Sequence, residues 1–342
     1  MNSLDKQYLQ SLETILNTGN KRGDRTGTGT ISIFDYTIDH NIQEGFPLLT
    51  TKRVWFKGVL HELLWFLSGD MNIKYLVKNN VNIWNDWPYK KYTENVANPL
   101  SMEEYVKKII EDDDFAKQYG DVGRIYGAQW LNWTDTTERV NGDETIRKRI
   151  GLNQIDNLIH TLKTNPEDRR MIVTAWNPAE IKEAALPSCH YNFQCYSEEL
   201  TDQERVNIIN ERFNNKCKVN PETLQDLEAF GIPKRKLSLK WAGRSIDSFL
   251  GGPFDIASYG LFLIMLAQVT NHIPHRLIST FGDYHIYMNH INQVKQQLQN
   301  EGHDLPIVKI NPDIKSIYDF KYKDFELINY KHDGTIKAPI SV

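Results

Sequence analysis

The sequence has few cysteines, no long hydrophobic run and no surplus of charge of either sign. Only three of its 342 residues are cysteine. The number is odd and no Cys-x-x-Cys pair occurs, which argues against a disulfide scaffold or a structural zinc site. Forty Lys and Arg stand against 44 Asp and Glu, a net charge of −4. That balance excludes a strongly basic nucleic-acid coat and a disordered polyelectrolyte, so no nucleic-acid partner is expected. An anionic ligand must therefore be held by a local arginine cluster. The longest apolar run, Leu261–Ala267, falls short of the roughly 20 residues a membrane-spanning helix needs. Met1–Asn17 carries Asp5 and Glu13 among its leucines and reads as an amphipathic helix rather than a signal peptide. A globular protein of the cytoplasm, without a membrane partner, is expected.

Several familiar signatures are also missing. No period of about 20 to 50 residues repeats. His61-Glu62 begins like a zinc-protease motif, but position 65 is Trp, so no metal site is expected. Gly27 and Gly29 lack the third glycine of a dinucleotide fingerprint, and no glycine loop is followed by a Walker lysine. What remains is a mixture of periods. Ile31–Tyr36 alternates as a strand that Thr37–Ile42 continues, and Val54–Leu67 is helical with Gly69-Asp70 as a stop. Met171–Trp176, Tyr191–Tyr196, Leu237–Trp241 and Leu277–Phe281 read as strands, and Ile256–Val269 as a buried helix. Polar stretches at 88–121 and 197–236 read as helical excursions, and Tyr330–Val342 as an exposed tail. Helices and strands without regular βαβ alternation predict an α+β fold.

Leu186-Pro187-Ser188-Cys189-His190 places a thiol beside a histidine after a proline turn, a setting open to a nucleophile. A lone cysteine is more often a small core residue, and Cys195 and Cys217 keep that reading. Arginines give the second signal. Arg25 lies in the glycine-rich turn, Arg169-Arg170 precede a strand, and Arg244-Ser245 follow one. Each is by itself an ordinary solvated face; together, beside hydroxyls at strand ends, they suit one phosphate.

The segments GDRTGTGT, FPLLTTKRVWFKGVLHELLWFLSGD, NNVNIWNDW, DRRMIVTAWNP, LPSCH, GRSIDSFLGGPFDIASY, GDYHIYMNH and GTIKAPISV resemble the thymidylate synthase family, in family order from about residue 20 to the end. The resemblance implies a single catalytic domain over residues 1–342, with a large mixed sheet and a homodimer formed through it. It also implies one-carbon transfer from 5,10-methylenetetrahydrofolate to carbon 5 of a pyrimidine deoxynucleoside monophosphate. Cys189 then matches the nucleophile that adds to carbon 6, and Glu62 the carboxylate organising proton transfers. Tyr126 and His190 join them in the catalytic set. Arg25, Arg244 and Ser245 match the phosphate site, with Arg169 and Arg170 lent by the other subunit. His285 and Tyr287 match the partners of the sugar hydroxyl. Lys52, Trp84, Trp87, Asp247 and Val342 match the folate site. A non-catalytic, RNA-binding member of the family would not need the thiol, and the charge balance offers no face for RNA.

One position departs from the family's pattern. Where the family has PFNIASY, this chain has Asp255. The family's asparagine presents an acceptor and a donor to uracil, and cytosine presents the reverse pattern. An ionised aspartate would oppose uracil with acceptors alone, a mismatch worth roughly 1–3 kcal/mol. Phage deoxycytidylate hydroxymethylases carry aspartate here, so the expectation is dCMP hydroxymethylation, in a host cytoplasm if the chain is phage-encoded. The alternatives are dCMP methylation and thymidylate synthesis from dUMP, because a protonated aspartate can turn over to serve uracil. Gly243 also departs, standing where the family usually has glutamine, and Ser188 replaces a commoner proline or alanine.

Overall fold

The computed structural model describes residues 1–24, 26–141, 144–182, 184–212 and 231–340. Arg25, Cys217, Val342 and much of the second polar stretch lie outside the described residues. Ten strands are described: β1 (Asn20–Arg22), β2 (Thr30–Asn41), β3 (Trp133–Asn141), β4 (Glu144–Leu152), β5 (Ile172–Thr174), β6 (His190–Glu199), β7 (Arg235–Asp247), β8 (His272–Tyr287), β9 (Ile307–Ile310) and β10 (Phe325–Ile328). Six of them form one sheet in the order β1-β2-β8-β7-β6-β5. β7 and β8 run parallel and the other neighbours antiparallel, so the sheet is mixed. With helices packed against it, this is the expected α+β architecture.

The parallel pair requires a crossover, and the helix Gly251–Val269 supplies it between the end of β7 and the start of β8. Fourteen of its residues are buried, from Gly252 to Val269. It begins earlier than the apolar run suggests and is long enough to cross a membrane, yet most of it is buried inside the protein. Apolar residues all round a helix mark a core element, and this one underlies the sheet.

The first helix, Ser3–Thr18, is capped by the Asn2 side chain, which accepts from the Asp5 N–H at 2.8 Å. Its buried face carries Leu4, Tyr8, Leu12 and Ile15 together with a charged residue, Asp5. Asp5 accepts from the backbone N–H of Thr50 at 3.1 Å and from the Thr51 hydroxyl at 3.0 Å. The helix thereby fixes the segment immediately before Lys52.

Two expectations change. The stretch 88–121 is helical as anticipated, with Asp86–Asn95, Met102–Glu111 and Asp113–Tyr119, but its tyrosines pack against other rings instead of facing water. Tyr92, Tyr105, Phe115 and Tyr119 interlock at centroid distances of 4.8 to 5.8 Å, with Tyr105 fully buried. The C-terminal tail is tied down instead of free. The Tyr330 hydroxyl accepts from the Val54 N–H at 2.8 Å, Ile336 is buried, and the Pro339 carbonyl lies 2.7 Å from Nε2 of His290.

Candidate active site

Cys189 is partly exposed on the loop that feeds β6. Its backbone N–H donates to the Tyr126 hydroxyl at 2.9 Å, and its carbonyl accepts from the Arg244 N–H at 2.8 Å. The Arg244 guanidinium grips the same loop, donating from Nε to the Ser188 carbonyl at 2.9 Å and from Nη2 to the Pro187 carbonyl at 2.8 Å. Its other support is the face of Trp176, 5.3 Å away. The loop holding the thiol is thus fastened to β7 by one arginine. The Ser188 contact uses only the backbone, and nothing in the structure explains the serine side chain.

Tyr126 starts the short helix Tyr126–Leu131 with φ of 31°, outside the ordinary range for a bulky residue. The helix lies so close to Phe56–Ser68 that a Cβ on Gly127 would stand 1.9 Å from the Phe66 carbonyl oxygen. That approach stacks the Tyr126 ring on His190, with centroids 4.0 Å apart.

His190 is buried, with Nδ1 at 2.8 Å from the Tyr259 hydroxyl and Nε2 at 3.7 Å from Oδ1 of Asp255. Burial drives its pKa down to about 3, so the ring is neutral. Asp255 moves the other way. Burial, then the fields of Glu62 and Asp247, raise its carboxyl well above the usual range. Glu62 projects from the helix Phe56–Ser68 and accepts from Nε1 of Trp84 at 2.7 Å. Burial outweighs that hydrogen bond and pushes its pKa up to about 7. Burial thus shifts all three groups toward their neutral forms.

Gly243 acquires a reason. A Cβ there would meet Cγ1 and Cδ1 of Ile246 at 2.5 Å. The isoleucine fills the space a longer side chain at 243 would take.

Asp247 closes β7 and accepts from the Phe249 N–H at 2.9 Å and the Leu250 N–H at 3.2 Å. Burial opposes its charge, but His290 at 3.8 Å, His285 and the Phe249 N–H outweigh it and hold its pKa below the usual value. Lys52 is buried, donates to the Phe249 carbonyl and lies 3.6 Å from that residue's ring centre. Desolvation lowers its pKa to about 7 although Asp247 opposes the shift. Trp84 and Trp87 stand 5.2 Å apart. Nε1 of Trp87 is buried without a hydrogen-bond partner among the described residues.

His285 and Tyr287 meet edge to face at 5.1 Å near the end of β8, and His285 Nδ1 is 3.2 Å from Oδ1 of Asp283. Ser245 pairs with Asp283 across the parallel register, and Asp247 with His285. The turn flanking residue 25 is ordered by Asp24, which accepts from the Gly29 N–H at 2.7 Å. Arg169 and Arg170 sit elsewhere, just before the edge strand β5, where exposed Arg170 makes a two-pronged pair with Asp168 at 2.7 and 2.9 Å. Sequence reasoning missed Tyr259, Trp176 and His290, whose roles are contacts with residues distant along the chain and leave no local pattern.

Residues 6–342 match the family model described as thymidylate synthase. The thymidylate synthase of Phytoplasma mali is 43% identical over 98% of this chain and 99% of that protein. That of Mycoplasma mobile is 42% identical over 98% and 100%, and that of Oenococcus oeni 38% over the full length of both. These relatives are named thymidylate synthase and not deoxycytidylate hydroxymethylase. The expected likeness to the hydroxymethylases in base choice gives way to the alternative.

Proposed function

We propose, because the chain belongs to the thymidylate synthase family, that it methylates dUMP to dTMP with 5,10-methylenetetrahydrofolate as one-carbon and hydride donor. What carries the choice of base is the likeness over full length to relatives named thymidylate synthase, and the surroundings of Asp255 are compatible with it. Burial, then the fields of Glu62 and Asp247, raise the Asp255 pKa and favour the neutral acid, which presents one O–H donor and one C=O acceptor. An amide presents the same pair, so the acid can accept from the uracil ring N–H and donate to the neighbouring carbonyl. The repulsion expected of a carboxylate disappears. The same carboxyl, turned over, suits cytosine, which keeps dCMP as the second reading.

Each side chain has a task consistent with its surroundings. Cys189 supplies the thiolate that adds to carbon 6 of the base, on a loop that Arg244 keeps in register. Arg244, Ser245 and Arg25 bind the phosphate, and His285 with Tyr287 the sugar hydroxyl. Glu62, with a pKa near neutrality, takes up and returns protons at the base. The folate supplies the methylene group and then the hydride, leaving as dihydrofolate. Trp84, Trp87, Lys52, Asp247 and the tail ending in Val342 would hold it and exclude water, which otherwise gives a hydroxymethyl product. Arg169 and Arg170 reach the phosphate of a second subunit, and the chain works as one catalytic domain in a homodimer.

Dihydrofolate formation tests the outcome. With dUMP and methylenetetrahydrofolate, one dihydrofolate should appear per nucleotide consumed. Turnover that releases tetrahydrofolate instead would mean hydroxymethylation.

A further inference from the structure

A cavity of about 860 Å³ lies away from Cys189, between the ends of the helices Gln154–Thr164 and Gly251–Val269, the helix Asp202–Arg212 and the first residues of β7 and β8. Lys163, Arg205, Lys234, Arg235 and Lys315 line it, and no Asp or Glu is among its described lining residues. Arg235 is engaged by Glu199 at 3.1 Å and Glu167 at 3.5 Å. Lys163, Arg205 and Lys315 have no carboxylate partner among the described residues, and Lys315 donates to the Pro312 carbonyl.

Arg205 is the informative member. It is 7% exposed, its Nη2 reaches the Ile232 carbonyl only at 3.4 Å, and its Nε has no hydrogen-bond partner among the described residues. A buried guanidinium without a counter-charge is costly. Helix dipoles account for part of the cluster, since Lys163 lies in the last turn of Gln154–Thr164. A terminus worth about half a charge cannot neutralise several cations around one cavity.

The geometry points to a second anion site, built by Arg205, Lys163 and Lys315, for a multiply charged phosphate compound of small-molecule size. Volumes of roughly 300–1,000 Å³ are usual for such ligands. Guanidinium donors suit phosphate oxygens in pairs, and Arg205 still has a donor to give. The site uses none of the residues assigned to dUMP or folate, so it stands apart from the proposed reaction.

The test is calorimetric titration of the full chain with inorganic tripolyphosphate, against sulfate as a charged control. The variants are Lys163→Glu/Lys315→Glu, both on the cavity rim, and Arg205→Gln. Wild type should bind tripolyphosphate at least tenfold more tightly than sulfate. The double variant should lose roughly ten- to a hundredfold in affinity, with unchanged melting temperature in the absence of ligand and unchanged dUMP turnover. Binding at the nucleotide phosphate site is common to both proteins and cancels in the comparison. Equal affinity of wild type and double variant, or no preference over sulfate, overturns the proposal. If Arg205→Gln fails to fold, the double variant decides alone.

Discussion

Glu62 and Asp255 owe their chemistry to the same cause, removal from water, but the consequences differ. Glu62 has a folded pKa of about 7 against 4.5 for an ordinary glutamate. The native state therefore binds more protons than the unfolded chain between these values, and stability falls as pH rises through that window. Below pH 4.5 both states are protonated and the cost vanishes; above pH 7 it is complete, on the order of 3 kcal/mol. Glu62→Gln keeps an acceptor for the Trp84 N–H and removes the charge. Urea denaturation should show the variant more stable than wild type at pH 8 and nearly equal at pH 4.5. Its kcat should fall by roughly 10²–10⁴ if Glu62 carries protons. Asp255 predicts a milder change. Asp255→Asn replaces one donor–acceptor pair with another, so kcat/KM for dUMP should stay within about tenfold. The loss of dCMP reactivity should be larger, because a carboxyl exchanges its donor and acceptor oxygens by moving a proton, whereas an amide must rotate to do so. A hundredfold drop with dUMP would show that the acid has a role beyond pairing.

At the scale of elements, the site is a meeting of four pieces: the helices Phe56–Ser68 and Tyr126–Leu131, the loop before β6 and the end of β7. Gly127 sets the distance between the two helices. A methyl group there meets backbone, not a movable side-chain tip, so Gly127→Ala should destabilise the protein by about 1–3 kcal/mol. It should also lower turnover by displacing Tyr126 from the Cys189 N–H. An unchanged urea midpoint would contradict that reading. Much of this arrangement was legible beforehand. The periodicity of Val54–Leu67, with glycine at its end, anticipates a helix that ends with Gly69 at φ of 69°. Strand β2 matches its expected span to within a residue at each end, while β6, β7 and β8 appear at their expected places but extend further, because cross-strand pairing carries residues of indifferent propensity into the ladder. The short hairpin β9–β10 and the tyrosine-rich packing of residues 88–121 were not legible. Tyrosine reads as polar in a sequence and as core once its ring finds other rings. The resemblance brought Cys189, Glu62 and Arg244 together; only the structure shows that Arg244 fastens the thiol loop and that burial leaves His190 neutral.

At the scale of the molecule, the proposed homodimer assigns Arg169 and Arg170, which lie before the edge strand β5, to the phosphate site of the second copy. The sheet offers a surface for a second copy: Phe34, Ile172 and Tyr196 are 87%, 52% and 63% exposed, unusual values for large apolar side chains on regular strands. Mixing inactive Cys189→Ala with inactive Arg170→Ala under subunit exchange should restore about a quarter of wild-type activity, through the one intact site in each mixed dimer. No recovery despite demonstrated exchange would place the arginines outside the shared site. The central claim, methylation of uracil under a neutral aspartate, is tested most directly in one reaction. Wild-type protein is given methylenetetrahydrofolate with equal dUMP and dCMP, and the nucleotide products are identified by mass. The account predicts dTMP as the major product. A product built chiefly on cytosine, whether methylated or hydroxymethylated, would contradict it.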